Sequence, residues 1–63
     1  MRYLVYNEPT ENDGDREVKV TEDEAIKIQR DFAWKAHGYI YETDQMALDD
    51  YIVVNWAHWK EEL

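Results

Sequence analysis

Thr43-Asp44-Gln45-Met46-Ala47-Leu48-Asp49-Asp50-Tyr51-Ile52-Val53-Val54-Asn55-Trp56-Ala57 is the stretch on which the fold turns. Thr43 followed by Asp44 has the form of a helix cap and first turn, yet Tyr51-Ile52-Val53-Val54 is aromatic and β-branched in the manner of a strand. Leu48, Ile52, Trp56, Trp59 and Leu63 fall within one helical arc, whereas strand alternation leaves this run no polar face. The spacing therefore predicts a helix from Asp44 to about Glu61, and a terminal strand over Tyr51 to Ala57 is the competing assignment.

Upstream, Tyr39-Ile40-Tyr41 is a three-residue β-like segment. Before it, Thr21-Glu22-Asp23-Glu24 forms a capping box with three acids at the positive end of a helix dipole, and His37-Gly38 supplies a cation and a left-handed terminator. A helix from Glu22 to about His37 follows, with Ala25, Ile28, Phe32 and Ala36 as its apolar stripe. Tyr3-Leu4-Val5-Tyr6 and Glu17-Val18-Lys19-Val20 read as two strands, Val18 and Val20 facing the core. Asp13-Gly14 is the turn of an antiparallel hairpin with a long polar arm, in which Pro9 cannot donate to a ladder.

These elements assemble as β-β-α-β-α, a single α+β domain over residues 1–63. Its three-stranded, mainly antiparallel sheet has order 2-1-3, the third strand parallel to the second, with two helices on one face. The chain has 15 acidic and 7 basic residues, a formal net charge of −8, no cysteine and a mass of 7.7 kDa. So short a chain buries only about 60% of its unfolded surface, and a deep substrate cavity would compete with the core. Without cysteine or serine there is no thiolate metal site and no thiol or seryl nucleophile, and Thr21 and Thr43 are committed to caps. An enzyme is not expected, nor any cofactor. The negative charge disfavours direct binding to nucleic acid and to anionic membranes. The lack of an apolar segment near Arg2 and of any long apolar span predicts a cytoplasmic protein without membrane contact.

Each helix carries more apolar residues than one face accommodates. Ile26, Ala33 and Trp34 lie off the first helix's stripe, and Met46, Val53 and Ala57 lie opposite the second helix's arc. A helix apolar on two faces is buried on both, so these six residues are assigned to an interface, most simply that of a twofold homodimer with the second helix near its axis. The alternative places the second helix centrally within one subunit.

Glu8 to Glu24 contains eight acids and two bases. Glu8, Glu11, Asp13, Asp15, Glu22, Asp23 and Glu24 are thus a candidate acidic surface for a basic partner, or a mimic of DNA phosphates that inhibits a nucleic-acid-binding protein; the favoured reading is a solvated loop and the ordinary acids of a helix start, which need no partner. An EF-hand with Gly14 at the sixth position would put Pro9 and Val20 at ligand positions, which excludes it. His37 caps a helix end, His58 and Glu62 form an i,i+4 pair, and Asp49-Asp50 diverge by about 100°, so neither a metal site nor paired catalytic carboxylates are assigned.

Tyr3-Leu4-Val5-Tyr6 and Ala47-Leu48-Asp49-Asp50-Tyr51-Ile52-Val53-Val54-Asn55-Trp56-Ala57 resemble segments of small acidic uncharacterised proteins of marine cyanophages. The resemblance covers about half the chain and implies a phage protein in a bacterial cytoplasm, with no activity, cofactor or catalytic residue attached. The expected function is a non-enzymatic protein–protein interaction module, homodimeric and able to bind a host protein.

Overall fold

The structure is a computed structural model that describes residues 1–12 and 14–61. Its elements are β1 (Arg2–Thr10), β2 (Gly14–Thr21), α1 (Glu22–His37), α2 (Asp44–Asn55) and β3 (His58–Glu61). The sheet order is β2-β1-β3, with β1 antiparallel to both neighbours. The predicted α+β class, antiparallel sheet and strand order are all present.

The hairpin is longer than its apolar residues indicate. Pairing runs unbroken from Tyr3 opposite Thr21 to Thr10 opposite Gly14, so the polar arm is part of the ladder rather than a loop. Gly14 has φ 77°, a left-handed value that a residue without Cβ adopts at little cost. The Thr10 hydroxyl donates to the Gly14 carbonyl, and Arg16 donates to its register partner Glu8 at 2.8 Å.

Helix α1 keeps its predicted bounds. The Thr21 hydroxyl accepts from the Glu24 amide at 3.2 Å while the Glu24 carboxylate reaches back to the Thr21 amide, and Gly38 closes the helix at φ 64°. Its rotation differs from the expected one. Ala25, Gln29 and Ala33 are buried and Ile26 half-buried, whereas Ile28, Phe32 and Ala36 are exposed. The cause is tertiary: α2 and the loop that precedes it cover the Gln29 side, where the small Ala33 and Ala47 let the two helices approach.

The segment Tyr39–Tyr41 is a loop and not the third strand. Its backbone is held by Arg30, which donates to the Tyr41 carbonyl at 2.8 Å, and the Tyr41 ring turns inward between Ala33 and Ala47. The third strand is β3, within the stretch predicted as the end of the second helix. Helix α2 stops at Asn55, whose side-chain Nδ2 donates to the Tyr51 carbonyl at 3.0 Å; Trp56 then turns left-handed at φ 57° and the Ala57 backbone amide donates to the Ile52 carbonyl. The element order is therefore β-β-α-α-β. Trp59 sits opposite Leu4, while His58 and Lys60 take the other face, giving the polar and apolar alternation that residues 51–57 lack.

The main core joins Leu4, Val20, Ala25, Leu48, Tyr51 and Ala57, with Tyr6, Val18, Ile26, Ile52 and Trp59 packed around it. Both helices thus lie on the face of the sheet that carries Leu4 and Val20. The Tyr51 hydroxyl donates to Tyr6 at 2.8 Å, and the Arg2 guanidinium lies 4.0 Å over the Trp59 ring. The molecule is flat, 34 × 33 × 15 Å, with a radius of gyration of 12.5 Å, where a compact chain of this length has about 10.6 Å. It exposes 5088 Å², and a compact monomer of this mass exposes about 4,300 Å².

Candidate functional site

The outer sides of α1 and α2, turned away from the sheet, carry a group of exposed apolar residues. Ile28 and Phe32 stand one turn apart on α1, and Met46, Val53 and Val54 share a flank of α2. All five are exposed, Val53 by 73%. Between the helices runs an open groove of ≈ 690 Å³ with Phe32, Tyr39, Met46 and Val54 on its walls and Gln29, Tyr41 and Asp50 on its floor. Its volume lies in the roughly 300–1,000 Å³ range of small-molecule sites, but it is a trough and not the enclosed cleft that excludes water around a reacting bond.

The floor is a hydrogen-bonded chain. Buried Gln29 donates through Nε2 to the Tyr41 hydroxyl at 3.0 Å, and that hydroxyl donates to Asp50 Oδ2 at 2.7 Å. Arg30 fixes the loop from behind, with Nη2 2.8 Å from Asp44 Oδ1. Gln29 on its own favours the Tyr41 phenolate, but the Asp50 carboxylate and burial outweigh it and raise the Tyr41 pKa above its ordinary value of 10.0. Burial, followed by the hydrogen bond to Tyr6, raises the Tyr51 pKa strongly. Both phenols are neutral donors at pH 7. Asp49 accepts from Gln45 at 2.8 Å. Among the described residues neither Asp49 nor Asp50 takes part in an ion pair, since Arg30 is engaged with Asp44 and Lys35 with Asp31 at 3.2 Å.

Of the six residues assigned to an interface, three are internal. Ala33 and Ala57 are buried in the two core clusters, and Ile26 is half-buried against both, so their off-stripe positions reflect the rotation of α1 and the turn after α2. Trp34, Met46 and Val53 are exposed, but Trp34 lies on the other flank of α1, beside Arg30, Tyr39 and Ile40. Ile28, Phe32 and Val54 belong to the exposed strip instead. Spacing of 3.6 residues places the first two in the core because it gives a helix an apolar stripe without saying what lies over it. The clue to the true orientation was Gln29: Ala25, Gln29 and Ala33 also form an i,i+4 row.

The acidic residues are divided. Asp13 lies outside the described residues; Glu11 and Asp15 sit at the hairpin tip, Glu22, Asp23 and Glu24 at the start of α1. Strand β2 separates the two groups by about 23 Å. Glu8 is paired with Arg16, Glu22 lies 3.8 Å from Arg2, and Glu24 completes the capping box. No single acidic face results from this set. His58 lies on β3, so the helical spacing assumed for its pairing does not apply, and Glu62 is outside the described residues. His37 ends α1 with its ring edge-on to Phe32. Among the described residues no group of three or more potential metal ligands converges, and no helix is long and apolar enough to cross a membrane.

Comparison with protein-family models, with curated proteins and with solved structures finds no match for the chain.

Proposed function

We propose that this chain is a non-enzymatic protein–protein interaction module that associates through the outer face of its helices and forms a homodimer when no other partner is present. One observation carries the reading: the accessible surface of 5088 Å² exceeds that of a compact monomer by about 750 Å². The excess belongs to the whole flat molecule, the exposed hairpin arm included, so the part of it that favours association is the apolar part on the helices. The exposed strip of Ile28, Phe32, Met46, Val53 and Val54 is where association removes the most apolar surface from water. A core this small yields only about 3–5 kcal/mol, so burial of a second face adds materially to stability. In the setting that the cyanophage resemblance implies, the module works in a bacterial cytoplasm and its partner is a host protein.

Sedimentation equilibrium tests the dimer. The expected mass is twice 7.7 kDa, falling to 7.7 kDa for Val53→Asp with an unchanged circular dichroism spectrum, because Val53 is exposed in the isolated chain. A wild-type chain that stays at 7.7 kDa at millimolar concentration excludes self-association.

A further inference from the structure

We infer that the groove between α1 and α2 is a docking site for a basic amphipathic helix: a partner segment with large apolar side chains along one face and Lys or Arg beside them. The inference rests on the interaction-module reading above and names the partner chemistry of the same face. The groove has two chemically distinct parts. Phe32, Tyr39, Met46 and Val54 form apolar walls, and Asp49 and Asp50 line it from α2. A helix laid into a trough between two helices presents anchors at i, i+3, i+4 and i+7, and apolar walls receive such anchors.

Charge selects among apolar helices. Helix α2 has Asp44, Asp49 and Asp50 and no basic residue, and the two groove aspartates have no ion-pair partner among the described residues. Covering the groove with a neutral or acidic segment would desolvate these carboxylates without compensation, whereas Lys or Arg flanking the anchors would pair with them. The net charge of −8 draws a basic segment from a distance and repels a second copy of this chain, which covers the apolar strip but adds eight further negative charges. A basic helix therefore displaces the second copy from the shared face. The hydrogen-bonded floor of Gln29, Tyr41 and Asp50 holds the trough in shape before the partner arrives, which reduces the ordering required on binding.

The test uses two fluorescein-labelled synthetic helices of about five turns, with the same leucine face and either lysine or glutamate on the other positions, titrated with the full chain and followed by fluorescence anisotropy. The lysine helix should bind about tenfold more tightly than the glutamate helix, or better. Asp49→Lys and Glu11→Lys change the net charge equally, but Asp49 lines the groove and Glu11 is at the hairpin tip. Asp49→Lys should weaken the lysine helix by about tenfold while Glu11→Lys stays within about twofold. Phe32→Asp, folded as judged by circular dichroism, should lose binding, although charge attraction alone would hold or tighten it. Equal weakening by Asp49→Lys and Glu11→Lys, binding retained by Phe32→Asp, or no binding of the lysine helix at all overturns the inference. A monomeric chain that still binds the lysine helix one-to-one refutes the homodimer and supports the docking site; a dimer that ignores the helix does the reverse.

Discussion

Removing the Tyr41 hydroxyl tests whether the floor of the groove is a cooperative unit. In Tyr41→Phe the Gln29 amide loses its acceptor in a buried position, while exposed Asp50 exchanges its donor for water. An orphaned buried donor costs about 1–3 kcal/mol, and the re-solvated carboxylate adds little, so a loss of about 2 kcal/mol is expected. Gln29→Leu alone leaves Tyr41 bonded to Asp50 and substitutes an apolar group against Ala33 and Ala47, for a loss of about 0.5–1 kcal/mol. With both changes no orphan remains, and the double variant should be about 1–1.5 kcal/mol more stable than the sum of the single losses implies. Urea unfolding followed by tryptophan fluorescence measures all four corners of this cycle, and for a chain this small a 2 kcal/mol loss moves the midpoint by more than about 1 M. Additivity to within about 0.3 kcal/mol would refute the claim that Tyr41 and Gln29 satisfy each other.

Two further outcomes follow from phenol burial and from the turn after α2. Because the folded state raises the pKa of Tyr41 and Tyr51 above the value of 10.0, stability is fully present below pH 10 and is lost as pH rises beyond it; the urea midpoint should fall there, and less steeply in Tyr51→Phe. A midpoint unchanged through about pH 11.5 contradicts this. Trp56 is 89% exposed and left-handed, so Trp56→Gly relieves about 1–2 kcal/mol of backbone strain against about 0.5–1 kcal/mol of added chain entropy, and should match or exceed wild type in thermal denaturation. A large fall in the melting temperature would mean that the indole packs more than its exposure indicates.

What the amino-acid order disclosed depended on range. The Thr21 capping box and the Gly38 terminator act over three or four residues, and each places an end of α1 correctly; of the predicted Asp13-Gly14 turn only Gly14, left-handed at the start of β2, lies within the described residues. The orientation of α1 was hidden, since Ala25 belongs both to the row with Ile28 and Phe32 and to the row with Gln29 and Ala33, and only contact with Tyr41 and Ala47 decides between them. Strand β3 was hidden because four residues carry a weak period, and because the left-handed turn at Trp56 lacks the glycine that usually announces one. Half of the residues assigned to the interface are internal for these two reasons, Ile26 and Ala33 through the orientation of α1 and Ala57 through the turn after α2. The groove was beyond reach of any local pattern, being formed by two helices and a loop whose tyrosine reads as a strand residue.

The central position of β1 has a temporal consequence. Tyr3 to Val5 pair on one side with Lys19–Thr21, made within the next twenty residues, and on the other with His58–Lys60, which is synthesised only after both helices. The early hairpin can therefore form with one rail of β1 still vacant, and that rail is filled by the most sequence-distant pairing in the molecule, the kind of contact that slows folding most. Any cellular factor that recognises an incomplete sheet has its window during that interval.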